Sequence, residues 1–211
     1  MRKFGFALGL ALLWLGLVRP ASAAYMYQFD QPSYTVASGE TVDVRVFLVQ
    51  TAPDTFLQSE GLTTLGVAVN WSNALARVVS TTDMTGNIPP FTIATRSITP
   101  PTAFLDDLKV GPPVSFTGAP NPLSVLVGTF RFTASGPGGT TTTIMAFDQA
   151  GRDNTVTGTG RVLDSLIASA TATINVTPAV IPEPASLTLL GIGTVGLGLY
   201  ARRRRNQAAA T

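Results

Sequence analysis

From Tyr25 to Val176 the apolar residues recur at every second position, the spacing of a half-buried strand and not of a helix. In Thr41-Val42-Asp43-Val44-Arg45-Val46-Phe47-Leu48 the even positions are apolar, while Thr41, Asp43 and Arg45 face outward. In Leu65-Gly66-Val67-Ala68-Val69-Asn70-Trp71 the bulk falls on the odd positions. Leu166, Ala168, Ala170, Ala172, Ile174 and Val176 alternate with Ile167, Ser169, Thr171, Thr173 and Asn175, which predicts one long final strand. The same period predicts strands over 25–30, 33–37, 75–81, 91–98, 125–134 and 140–147. About nine such runs, bounded by Gly, Pro, Asn and Ser, predict an all-β body folded as an antiparallel β-sandwich, with no amphipathic helix.

One stretch departs from this rhythm. Residues 88–122 hold eight of the chain's 15 prolines, including Pro89-Pro90, Pro100-Pro101 and Pro112-Pro113. Proline donates nothing to a central ladder, so the stretch predicts a long crossing loop with at most short edge strands. It reads as an insertion in one domain, 24–176, because neither flank alone has strands enough to close a sandwich.

The two ends carry different patterns. Met1-Arg2-Lys3 precedes a 15-residue apolar run, Phe4 to Val18, and Ala21-Ser22-Ala23 follows. This is the layout of a secretory signal peptide over 1–23, with signal peptidase expected to cut after Ala23 and to read Ala21 as the other small residue. Residues 177–184 read as a short stiff linker ending in Pro182-Glu183-Pro184. Ala185 to Ala201 is 17 residues without a charge, and Arg202, Arg203, Arg204 and Arg205 follow. As a helix, 185–201 would reach roughly 25 Å, the short end of what spans a bilayer. The arginines then hold 202–211 in the cytoplasm and leave the body outside.

Pro182-Glu183-Pro184, an apolar span and a basic cluster, in that order, resemble the PEP-CTERM sorting signal. The resemblance implies recognition by an exosortase, a membrane-embedded cysteine peptidase or transpeptidase, with cleavage near Pro182-Glu183-Pro184. It also implies an inner-membrane-anchored precursor with a periplasmic body, destined for the cell surface or extracellular matrix.

Charge changes its meaning once the ends are set aside. The formal net charge is +2, yet seven of the 14 basic residues are Arg2, Lys3, Arg19 and Arg202 to Arg205. Between Ala24 and Ile181 stand seven basic and 11 acidic side chains, and no basic stripe marks a nucleic-acid partner. Histidine and cysteine are both absent. That excludes a Ser-His-Asp triad, a cysteine nucleophile, a histidine metal site and any disulfide, so an apolar core must hold the body.

The body has a likeness of its own. Tyr34-Thr35-Val36 followed by Gly39-Glu40-Thr41-Val42-Asp43-Val44-Arg45-Val46 resembles the opening of a cohesin-type domain. Val67-Ala68-Val69-Asn70-Trp71-Ser72-Asn73-Ala74-Leu75 is similar to the segment where cohesins carry an aromatic-Asp-Pro-like turn, although Asn70-Trp71 stands in its place. Ser124 to Phe132 and Thr140 to Ile144 resemble a later strand pair. The resemblance implies a nine-stranded jelly roll with a binding or scaffold role.

Candidate chemistry is sparse. Asp106-Asp107, Asp148, Asp153 and Asp164 are the carboxylates a glycosidase pair would draw on. Adjacent Asp106 and Asp107 would face opposite ways on a strand, and all five read as solvated loop acids. Asp148-Gln149-Ala150-Gly151-Arg152-Asp153-Asn154 reads as a polar turn in which Asp148, Asp153 and Asn154 are candidate calcium ligands, without the spacing of an EF-hand. No other cofactor is expected. Trp71 shares the face of Val67 and Val69 and reads as core, with sugar stacking the other option; Gly136-Pro137-Gly138-Gly139 reads as a hairpin turn. Together these features predict a non-catalytic exported module that binds an envelope protein or polysaccharide. The alternative is an exported carbohydrate-active enzyme using acidic residues.

Overall fold

Thirteen strands form two facing sheets in the computed structural model, which describes residues 24–51, 56–87, 89–116 and 123–179. The expected signal peptide with Ala21 and Ala23, the motif Pro182-Glu183-Pro184, the span 185–201 and the basic tail lie outside the described residues. The chain divides into two compact units, Met1–Thr177 and Pro178–Thr211, and every described strand belongs to the first.

In chain order the strands are β1 (Tyr25–Phe29), β2 (Ser33–Ala37), β3 (Thr41–Gln50), β4 (Leu62–Trp71), β5 (Ala76–Arg77), β6 (Met84–Gly86) and β7 (Ile93–Thr99). There follow β8 (Thr102–Leu108), β9 (Ser124–Ala134), β10 (Thr140–Phe147), β11 (Thr155–Thr157), β12 (Ile167–Ala168) and β13 (Ala170–Thr177). One sheet runs β12-β1-β3-β9-β5, with β6 also on β9; the other runs β2-β13-β10-β4-β8-β7, with β11 also on β4. Pairing is antiparallel except at β1–β12 and β2–β13. A single helical turn, α1 (Phe56–Ser59), buries Leu57 and is the one α-helix among the described residues.

The alternation sets the core. Leu65, Val67, Val69 and Trp71 of β4 are buried, as are Val44, Val46 and Leu48 of β3 and Phe130 and Phe132 of β9. Trp71 is 4% exposed and meets Phe132 edge-to-face, ring centroids 6.1 Å apart. Burying each large apolar side chain of this kind contributes roughly 1.5–3 kcal/mol, and the described residues hold no cysteine to add to it.

The proline-rich stretch departs from expectation only in part: the strand expected over 91–98 forms as the edge strand β7, but β8 is a further strand where a loop is expected. β7 and β8 both lie within 88–122, seven residues each, and β8 sits between β4 and β7 inside the larger sheet. The prolines stand at the ends of these strands and never inside them: Pro89 and Pro90 precede β7, Pro100 and Pro101 make the turn, Pro112 and Pro113 follow β8. A full ladder therefore forms between them.

Three further expectations are corrected. The run 75–81 yields only the two-residue β5, and Thr81–Asp83 is a turn of 3-10 helix capped by Ser80. The final strand breaks at Ser169, because β12 pairs with β1 in one sheet while β13 pairs with β10 and β2 in the other. Gly136 to Gly139 joins β9 and β10, which lie in opposite sheets, so it is an arch between sheets and not a hairpin.

Candidate binding surface

The outer face of the larger sheet is built by register. Phe147 pairs with Ala68, Ala68 with Phe104, and Phe104 with Ser97, placing one row of side chains across β10, β4, β8 and β7. Small Ala68 between two phenyl rings leaves a depression. Ser97, Thr99, Thr102, Phe104, Phe147, Gln149 and Arg152 line it, and it encloses about 240 Å³. The Arg152 guanidinium lies 4.4 Å from the centre of the Phe104 ring, a cation–π contact that covers the ring from solvent. Phe104 is 3% exposed as a result.

The same face continues along the β7–β8 hairpin. Thr99 pairs with Thr102, Ser97 with Phe104, Thr95 with Asp106 and Ile93 with Leu108, all outward. Ile93 and Leu108 are exposed there, with exposed Val110 just beyond. Among the described residues β7 is the last strand of the sheet, so its outer side chains front solvent and its edge pairs with no further described strand.

A polar excursion borders the depression. β10 leaves β4 at Phe147 opposite Ala68, and β11 rejoins it at Thr155 opposite Leu65. Residues 148–154 thus span a gap in which β4 offers only Gly66 and Val67. A Cβ on Gly66 would stand 2.8 Å from the Asn154 Cβ, so a glycine is required where the excursion returns. The return is pinned by Asp164: its two carboxylate oxygens accept the backbone N–H of Asn154 at 3.1 Å and of Thr155 at 3.0 Å.

The acids are not all solvated loop residues. Asp106 and Asp107 lie on β8 and face opposite ways, as adjacent strand residues must, and Asp107 is fully buried. Asp107 accepts the Asn87 backbone N–H, and a Cβ on Gly86 would collide with its carboxylate. Burial pushes its pKa up to about 6, against that hydrogen bond; Asp106 adds to the rise and Arg96 opposes it. Burial also raises Asp106, with Arg152 opposing. Asp164, 8% exposed, is pushed up to about 6 by burial and then by the charge of Asp148, against its two backbone hydrogen bonds. Burial raises Asp148 too, while Asp153 is exposed.

Of the calcium candidates, the structure brings Asp148 and Asn154 together and leaves Asp153 at the rim. The Asn154 side chain lies close enough to Asp148 to favour its charged form. Among the described residues, no three of Asp, Glu, His and Cys are grouped to hold a metal ion by themselves. Asp164 and Tyr27 belong to the same neighbourhood and went unlinked to it in the sequence. The buried Tyr27 hydroxyl donates to the Gly66 carbonyl at 2.8 Å, and its pKa is raised by burial first and by Asp148 next. Ten residues separate Asn154 from Asp164, and only the polar spacing around Gly158 and Gly160 hints at a chain reversal. Trp71 lies in the core and presents no ring for sugar stacking.

Residues 180–205 match the PEP-CTERM protein-sorting motif. Such a motif implies an exported, membrane-anchored precursor processed by an exosortase. No curated protein matches the chain. Among solved structures, the sixth cohesin of scaffoldin B from Acetivibrio cellulolyticus, in complex with a dockerin, is similar at 12% identity and TM-score 0.48, covering 72% of this chain and 96% of that one. A type I cohesin from Clostridium thermocellum, also in a cohesin–dockerin complex, is similar at 10% identity and TM-score 0.45, covering 72% and 99%. The type II cohesin dyad of an adaptor scaffoldin from Acetivibrio cellulolyticus gives 15% identity and TM-score 0.47, covering 72% and 48%.

Proposed function

We propose that the chain is a non-catalytic binding module, exported by its N-terminal signal, held in the inner membrane by 185–201, and released by exosortase cleavage near Pro182-Glu183-Pro184 to the cell surface or matrix. The observation that carries the sorting half is the motif match over 180–205. For the binding half, the support is the outer face of β7 and β8, where Ile93, Leu108 and Val110 stand exposed beside hydroxyl-bearing Thr95, Ser97 and Thr99.

The partner that suits this face is a protein of the envelope. A polysaccharide is gripped mainly by open aromatic platforms, and here Trp71 is in the core and Phe104 is roofed by Arg152. A protein partner needs a small apolar centre with a polar rim and shared backbone edge, which β7 supplies. An enzyme using paired acids fits less well: Asp107 is sealed behind Gly86, and both oxygens of Asp164 are engaged by backbone N–H groups.

Ile93→Asp tests the surface. The side chain is exposed, so the fold should melt as the parent does, within about 0.5 kcal/mol. Retention of the processed protein in the envelope, and of the one protein cross-linked to it there, should fall at least tenfold. Unchanged retention would remove the face from the account, and retention lost only after exopolysaccharide is stripped would assign the partner to polysaccharide.

A further inference from the structure

Buried polar side chains in a folded domain are almost always hydrogen-bonded, and an exception needs an occupant. Around the excursion the exceptions gather. Asp148 Oδ1, Gln149 Oε1, Asn154 Oδ1 and Nδ2, and Thr155 Oγ1 are all buried from solvent without a hydrogen-bond partner of ordinary geometry. Asn154 is 1% exposed and Thr155 is 0% exposed, so neither can turn to water. The Asn154 side chain lies against Asp148, and the Thr155 hydroxyl lies against the Tyr27 phenol, whose ionisation Asp148 and Asp164 oppose.

Charge sharpens the point. Asp148 and Asp164 repel one another, and Asp153 adds to the repulsion on both. The one basic residue of the excursion does not intervene between them. Arg152 is drawn off to the Phe104 ring and offsets Asp106 instead. A water molecule would satisfy a lone pair here but would leave the repulsion in place. A divalent cation does both at once for the oxygen atoms.

We propose that the excursion holds a calcium ion, ligated by Asp148 and by the amide oxygen of Asn154, with the Gln149 and Thr155 oxygens completing the protein donors. Asp164 stands behind as a second negative charge. It keeps its oxygens on the Asn154 and Thr155 N–H groups and so fixes the ligand-bearing backbone. All the donors are oxygens, and they come from a loop with few carboxylates. That set favours calcium, which accepts irregular oxygen shells, over magnesium, which demands a near-ideal octahedron. Few charges also place the affinity in the weak range of extracellular modules, about 10⁻⁴ to 10⁻³ M. The ion then stiffens the border of the depression and sets where Gln149 and Arg152 stand in it.

The test uses the full-length protein in detergent, freed of metal on a chelating resin near neutral pH. Calcium chloride alone at about 10 mM should raise the melting temperature by about 5 °C over EDTA, with a saturable heat of binding, and magnesium should give a much smaller shift. Terbium should luminesce when excited through the tyrosines and be displaced by calcium. Asp148→Asn relieves the repulsion, so in EDTA it should melt no lower than the parent, yet it should lose the calcium shift. Asn154→Ala should weaken calcium binding at least tenfold. Equal melting of the parent in calcium and EDTA with a flat calorimetric trace overturns the site. So does an undiminished calcium shift in Asp148→Asn, which would put the ion elsewhere.

Discussion

Trp71 is the residue on which the packing turns. It closes the inner face of β4, meets Phe132 of the opposite sheet edge-to-face and keeps 4% of its surface. Truncating a buried aromatic of this size costs about 3–5 kcal/mol, a large share of the roughly 5–15 kcal/mol that holds a domain. Trp71→Ala should therefore lower the midpoint of urea unfolding sharply, with β-sheet circular dichroism retained only at low denaturant. A variant that unfolds like the parent would return Trp71 to the surface. This role was legible in the sequence because Trp71 shares the odd positions of β4 with Leu65, Val67 and Val69, and one face of a strand is buried as a unit. The burial of Asp107 was not legible by that rule. The same alternation that turns Leu105 inward turns Asp107 inward too, but a carboxylate two residues along reads as solvent-facing until the partner N–H of Asn87 and the missing side chain of Gly86 are placed beside it.

At the scale of elements, that carboxylate ties β8 of the larger sheet to the end of β6 in the smaller one. The tie is unfavourable when charged. Its folded pKa stands at about 6 against an ordinary 3.8, so the folded state holds the proton more tightly than the unfolded chain does. The contribution of Asp107 to stability is accordingly fullest below the ordinary value and is lost as pH rises through about 6. Asp107→Asn keeps an oxygen for the Asn87 N–H and has no charge to lose. Its stability relative to the parent, from urea titrations, should climb between pH 4 and 6.5 and level off above. A difference that does not change with pH would contradict the burial. The elements themselves were read well wherever hydrophobic alternation ran unbroken, as in β2, β3, β9 and β10. Within the proline-rich stretch the strand expected over 91–98 forms as β7, but β8 does not follow from the pattern: Pro100, Pro101, Pro112 and Pro113 suggest a loop there, yet they only bracket the strand. The break at Ser169 escaped notice because alternation carries straight through it, and only the pairing of β12 with β1 shows the change of sheet.

For the molecule as a whole, the sandwich and the tail answer different questions. Strand alternation and the lack of cysteine and histidine point to a core-held module without the commonest catalytic side chains. They leave its partner open, since a face such as that of β7 and β8 shows itself only once register sets Ile93 beside Leu108. Sorting, by contrast, is a linear signal: Pro182-Glu183-Pro184, an apolar span and Arg202 to Arg205 resemble it in their order along the chain, and residues 180–205 match the motif. The most direct measurement is the intact mass of the envelope-localised protein, taken beside that of a Glu183→Ala variant. The account predicts a parent that has lost Leu187 to Thr211, and a variant that is still exported but accumulates unprocessed in the inner membrane. A surface-localised parent that keeps Leu187 to Thr211, or a variant trimmed like the parent, would contradict it.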